Sequence, residues 1–114
     1  MAGLSLSVEK SGKVSVVNCE GIVDSETSGE IEKAVTSLIL AKQYRIVIDL
    51  EKVEYVSSAG WGIFVGYVRD LRKNGGDIRF SNMRQEVREV FELLDFTNIL
   101  QCYGTREEAV KAFK

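Results

Sequence analysis

Apolar and polar residues alternate from Leu4 to Lys10, as they must in a strand with one buried face. Ser11-Gly12 then makes a tight turn, and Val14–Cys19 reads as a second strand paired back as a hairpin. Gly21 follows, where the backbone needs freedom to turn. The period then changes. Ile31, Val35, Leu38 and Lys42 recur at helical spacing with Ala34 on the same face, and Thr27-Ser28-Gly29-Glu30 fits a capping box. A first helix is predicted from about Ser28 to Ala41. Arg45–Leu50, RIVIDL, is a short β-forming run that reads as a central strand ending near Asp49. Glu51–Val56 reads as a loop.

A second helix starts at Ser57 or Ser58 and continues to Lys73, with Gly60, Phe64, Tyr67, Val68 and Leu71 as its buried stripe. Asn74-Gly75-Gly76 ends it. Asp77–Ser81 is the fourth strand. Asn82 is placed to cap a third helix with Val87, Val90, Phe91 and Leu94 on one face. Ile99–Tyr103 reads as a last strand. Thr105-Arg106-Glu107-Glu108 is a second capping box, opening a helix with Ala109, Val110 and Phe113 inward. The order ββαβαβαβα predicts an α/β fold: a mixed, mostly parallel five-stranded sheet with about four helices and right-handed crossovers. The chain has no proline, and no low-complexity segment, internal repeat or linker divides it. One domain over residues 1–114 is expected.

Composition narrows the function. A net charge of -2 argues against nucleic acid, whose binders show a basic field. The apolar runs are too short to cross a bilayer, and MAGLSLSVEK has no secretory pattern, so a cytoplasmic protein is expected. Cys19 and Cys102 lie in strand-like runs and read as two buried free thiols rather than a bridge. There is no histidine, which removes the commonest general base and zinc ligand together. No G-x-x-x-x-G-K-[ST] loop is present. Neither an enzyme nor a cofactor or metal is expected.

The informative segment is Val47–Tyr67, VIDLEKVEYVSSAGWGIFVGY. A buried strand delivers a loop, and the loop delivers two adjacent serines to a helix start. Small residues follow at Ala59, Gly60, Gly62 and Gly66, which would let the helix approach a neighbour closely. A hydroxyl in this place has two candidate roles: a helix N-cap, contributing about 1 kcal/mol, or a modified group.

The run V-I-D-L, a short connection, then Y-V-S-S-A-G-W-G resembles that of the anti-sigma factor antagonists, the bacterial members of the STAS domain family. Gly21-Ile22-Val23-Asp24 is similar to the same family's Gly-x-x-Asp turn. The resemblance covers essentially the whole chain and implies partner switching. In that scheme the unphosphorylated antagonist binds a serine kinase that doubles as an anti-sigma factor, and so frees a sigma factor. Phosphorylation ends the interaction, and a metal-dependent serine phosphatase restores it. The motif puts the phosphoacceptor on Ser58, with Asp24 in the adjacent loop and Asp49 ending the central strand. Ser57 stands where the family often has an aspartate, and Ala59 where it often has a second hydroxyl. Ser57 is therefore a second candidate acceptor and, with Asp24, a partner contact. A monomer or weak dimer is expected.

Phosphate adds about -1.5 to -2 charges. The helix start favours it by roughly 0.3–1 kcal/mol, whereas burying an unpaired dianion in an interface costs several kcal/mol. Release with little refolding is expected. Trp61 reads either as a partly buried core residue or as an exposed aromatic anchor for the partner. Arg84 and Arg88, one turn apart, read as partners for neighbouring Glu residues. A receiver domain would need an acidic pair after its first strand, and Glu20 and Asp24 are not adjacent. The alternatives are a non-switching STAS scaffold subunit of a larger sensory complex, and a small flavodoxin-like enzyme.

Overall fold

The computed structural model describes residues 3–113, so Met1, Ala2 and Lys114 of the expected 1–114 domain lie outside the described residues. Five strands form one sheet: β1 Leu4–Ser11, β2 Val14–Val23, β3 Arg45–Val56, β4 Asp77–Ser81 and β5 Gln101–Tyr103. Their spatial order follows the chain, β1 to β5. The β1–β2 hairpin is antiparallel and the remaining three pairings are parallel. Helices α1 Ser28–Leu40, α2 Ser58–Lys73 and α3 Gln85–Leu93 connect successive parallel strands, and α4 Arg106–Lys111 follows β5. A short 3-10 turn, Phe96–Asn98, precedes β5.

Sequential parallel strands with right-handed crossovers keep their helices on one side of the sheet. The main core lies there. Ile31 and Val35 of α1, Trp61, Phe64, Val68 and Leu71 of α2, and Val87 and Phe91 of α3 pack on Val17, Ile46, Ile48, Ile78 and Phe80. Among the described residues the other side is covered only by α4, where Ala109, Val110 and Phe113 meet Val14, Val16 and Val47. The rest of that side carries a polar row, Ser7, Asn18, Asp49, Ser81 and Tyr103, aligned across all five strands.

Several expectations are corrected. Glu51–Val56 is not a loop: β3 runs on to Val56, and β2 continues beyond Cys19 to Val23 beside it. The pairing slips between Asn18 and Glu20 and again between Gly21 and Ile22. These bulges put Val53 and Val56 three residues apart on the core side, so the alternation that marks a strand is lost from EKVEYV. Thr27 forms no side-chain cap on α1. Its hydroxyl donates to the Ile22 carbonyl at 2.7 Å and accepts from the Asp24 N–H at 2.9 Å. Lys42 lies past α1 at φ 61° and is exposed.

Asn82 does not cap α3, which begins at Gln85 after Arg84. It adopts φ 55° and turns its amide to Asp49 instead. Leu94 is exposed just beyond α3, and Ile99–Leu100 precede a β5 of only three residues. Arg84 donates to the Glu51 carbonyl and Arg88 to the Cys102 sulfur, rather than to Glu side chains. Thr105 caps α4 as expected, accepting from the Glu108 N–H at 3.1 Å. Cys19 and Cys102 are both free, but Cys102 is half-buried rather than buried. Two strands separate β2 from β5, about 14 Å of sheet, too far for a disulfide. Cys19 is buried, and desolvation with the nearby Asp49 charge pushes its thiol up to about 12.

Candidate functional site

The start of α2 is built by the end of β3. Buried Val56 ends the strand, and Ser57 takes an extended conformation. Its hydroxyl accepts from the Gly60 N–H at 3.1 Å, so Ser57 is the helix N-cap. Its carbonyl accepts from the Trp61 N–H at 3.0 Å. Ser57 is half-buried. Ser58, the first helical residue, is exposed, and among the described residues no hydrogen bond engages its hydroxyl. No acidic residue lies in the first turn of α2, so no carboxylate of the helix itself offsets its free amides and dipole.

The neighbouring turn is fixed to this start. The Ser57 N–H donates to the Val23 carbonyl at 2.9 Å. Ser58 and Asp24 each follow that hydrogen-bonded pair by one residue, which brings the proposed acceptor and the Asp24 turn together. Asp24 itself is half-buried and organises the turn. Its Oδ1 accepts from the N–H groups of Glu26 and Thr27 at 2.9 and 3.0 Å. These bonds make Asp24 to Glu26 an Asx turn ahead of α1, while the Glu30 N–H that a Thr27 capping box would engage donates to the Thr27 backbone carbonyl at 3.0 Å.

The small residues of α2 do not act alike. An added Cβ on Gly60 would lie 2.9 Å from Val23 Cγ1 and 3.1 Å from both the Val23 carbonyl oxygen and Val56 Cγ1. Gly60 is therefore the close-approach residue. Gly62 and Gly66 have nothing within 4 Å of such an atom and, with Ala59, face outward. Trp61 is the clearest correction. It is wholly buried, with Phe64, Phe80, Phe91 and Phe96 ring centroids 5.0–6.0 Å away. It is a core residue and not an exposed anchor. Trp61, Phe64, Val68 and Leu71 fall on one helical stripe, with Trp61 at its edge and Tyr67 only half-buried.

Asp49 lies on the other side of the sheet from α2 and is 3% exposed. Its Oδ1 accepts from the Glu51 N–H at 3.0 Å, as expected of a residue tied to the segment that follows. Its Oδ2 accepts from Ser81, Asn82 and Arg106 at 2.9, 2.8 and 3.3 Å. Burial pushes the Asp49 carboxyl up, but hydrogen bonds from Asn82, the Glu51 N–H, Ser81 and Arg106 outweigh it and hold it below the usual range. Arg106 also pairs with Glu9 at 2.9 Å, pinning α4 across β1 and β3. Asp49 is thus a structural hub, and Arg106 is the residue of that hub missed in the sequence.

Among the described residues no group of three or more His, Cys, Asp or Glu could hold a metal ion, and no helix is long and apolar enough to cross a membrane.

Comparison with known proteins bears on the family of the chain. BtrV of Bordetella bronchiseptica, named as an anti-sigma factor antagonist, is 29% identical over 111 residues, covering 97% of this chain and 96% of that protein. The anti-sigma-B factor antagonist of Staphylococcus aureus is 26% identical over 106 residues, covering 92% and 98%. The crystal structure of an anti-sigma factor antagonist from Mycobacterium paratuberculosis superposes with a TM-score of 0.87 at 26% identity, covering 96% of this chain and 93% of that one. The family model of the STAS domain matches residues 5–109, which include both serines, Asp24 and all of the sheet but Leu4, and the chain belongs to the STAS domain family.

Proposed function

We propose that the chain, acting over residues 1–114 as one STAS domain, is an anti-sigma factor antagonist switched by phosphorylation of Ser58. It is a regulator and not an enzyme. When unphosphorylated it binds a serine kinase that doubles as an anti-sigma factor, and a metal-dependent serine phosphatase resets it. A switch driven by ATP works in the cytoplasm, and a monomer or weak dimer suffices for it.

The observation that carries this reading is the division of labour between the two serines. The Ser57 oxygen is half-buried and already accepts the Gly60 N–H. The Ser58 hydroxyl is exposed and unengaged among the described residues. A kinase needs a reachable hydroxyl, and modifying Ser57 would sacrifice a cap worth about 1 kcal/mol. At the first helical position a phosphate meets free amides and the positive end of the dipole. The folded domain therefore tolerates it, by a gain of roughly 0.3–1 kcal/mol. A docked partner does not, because an unpaired dianion at its interface costs several kcal/mol. Asp24, one residue past Val23, adds like-charge repulsion.

Incubation with the kinase encoded beside its gene and ATP, followed by phosphopeptide mapping, tests the assignment. Phosphate on Ser58 is expected. Phosphate on Ser57 alone, or stable assembly with no phosphate, contradicts it, and the second outcome favours a non-switching scaffold.

A further inference from the structure

Burial of Trp61 rules out one of its two sequence readings, the exposed aromatic anchor, and leaves another aromatic exposed beside the switch serine. Tyr55 is 48% exposed, and among the described residues every other Tyr, Phe and Trp is buried or half-buried. It stands two residues before the N-cap Ser57 and three before Ser58, so its Cα is within about 10 Å of the acceptor's. One docked protein surface covers that span easily.

The backbone turns this ring outward. Strand alternation from buried Val53 would put Tyr55 on the core side. Instead Gly21 pairs with Val53 while Ile22 pairs with Tyr55, leaving Glu54 as the extra residue of a bulge. Glu54 and Tyr55 are both exposed as a result, and Val56 returns to the core at 0% exposure. Bulges beside functional sites commonly re-aim a side chain in this way. The ring's backbone is also rigid. It is paired to Ile22, and the next two residues are held by the Val23–Val56 pairing and by the Ser57 N–H bond to Val23. An aromatic side chain on an ordered backbone loses little freedom on binding, which is what makes Tyr a frequent hot spot.

We propose that Tyr55 is the aromatic anchor of the switch interface, seating its phenol in an apolar slot of the same kinase that reads Ser58. The proposal rests on the function proposed above. On docking, the ring enters the partner while Ser58 lies under its rim. A phosphate at Ser58 then stands between the partner and a ring it must grip, which makes release complete without any refolding of β3 or α2.

Titration calorimetry of the cognate kinase against Tyr55→Ala, Tyr55→Phe and Leu40→Ala tests this. Leu40 is 80% exposed at the far end of α1 and serves as the apolar control. Tyr55→Ala weakens binding about 30-fold or more with an unchanged melting temperature, Tyr55→Phe stays within about threefold, and Leu40→Ala matches wild type. Tight wild-type binding that Tyr55→Ala leaves within about threefold overturns the anchor alone. Absence of kinase binding by the wild type overturns the switch reading and the anchor with it. Should Tyr55→Ala lower the melting temperature, Tyr55→Ser and Tyr55→Phe compared at a temperature where both are folded decide the matter. A polar residue that binds as well as the ring contradicts the proposal.

Discussion

The backbone N–H of Ser57 donates to the carbonyl of Val23 across 2.9 Å. That one bond joins the last residue before α2 to the last residue of β2, and so fixes the acceptor serine against the turn shaped by Asp24. Everything proposed about the switch depends on this junction staying rigid while the exposed hydroxyl beside it changes chemistry.

Two glycines in the first turns of α2 give opposite expectations. Gly60→Ala forces a methyl to within about 3 Å of Val23 and Val56, and overpacking of this kind costs about 1–3 kcal/mol. Gly62→Ala meets nothing and relieves a helical glycine, a gain of about 0.5–1 kcal/mol. Chemical denaturation of the two variants checks the signs. Equal effects would mean that the β2–α2 contact is not tight.

Loss of the cap separates Ser57 from Ser58. Ser57→Ala removes the acceptor of the Gly60 N–H and lowers stability by about 1 kcal/mol, yet leaves phosphorylation on Ser58. Ser58→Ala leaves stability within about 0.5 kcal/mol and abolishes phosphorylation. Melting curves and intact-mass measurements on both variants read the two effects independently.

Asp49 makes stability depend on acid. Its folded-state pKa is depressed by the hydrogen bonds it accepts. The stabilisation is therefore complete above the unfolded value of about 3.9 and is lost as pH falls through the lower folded value. Asp49→Asn removes the charge that Arg106, Asn82 and Ser81 surround, costing about 2 kcal/mol at neutral pH. Melting temperatures measured from neutral pH down to about pH 3 should show the gap between wild type and variant narrowing at the acid end. A constant gap would assign the effect to packing and not to the carboxylate.

Trp61 belongs to the fold and not to the partner. Trp61→Ala empties the centre of an aromatic cluster and costs about 3–5 kcal/mol. Trp61→Phe costs much less, because the indole N–H is buried without a hydrogen-bond partner among the described residues and its removal relieves an unmet polar group. Denaturant titration followed by far-UV circular dichroism gives both values. A Trp61→Ala variant as stable as wild type but weaker in kinase binding would restore the exposed-anchor view.

Most strands and helices were legible because their periods are clean. RIVIDL marked a central strand, Phe64, Val68 and Leu71 marked the buried face of α2, and the capping box at Thr105 marked α4. What was not legible shares one cause. Bulges and long-range partners leave no local period. The slip at Glu54 disguised the end of β3 as a loop and hid the exposure of Tyr55. Asn82 looked like a cap because its contact with Asp49 is 33 residues distant. Arg106 was invisible as the clamp on Asp49 for the same reason, at a separation of 57. Trp61 lies at the edge of the α2 stripe by helical angle, and its full burial comes from long-range partners, the rings of Phe91 and Phe96, which close over that edge.

The central claim is that phosphate on Ser58 ends a protein–protein interaction while leaving the domain folded. The most direct measurement is the dissociation constant for the cognate kinase of the domain purified unmodified and of the same domain phosphorylated on Ser58, with melting curves run on both. Weakening by about 100-fold or more, with an unchanged or slightly raised melting temperature, is the result expected. Equal affinity of the two forms, or loss of binding only because the phosphorylated domain unfolds, would contradict it.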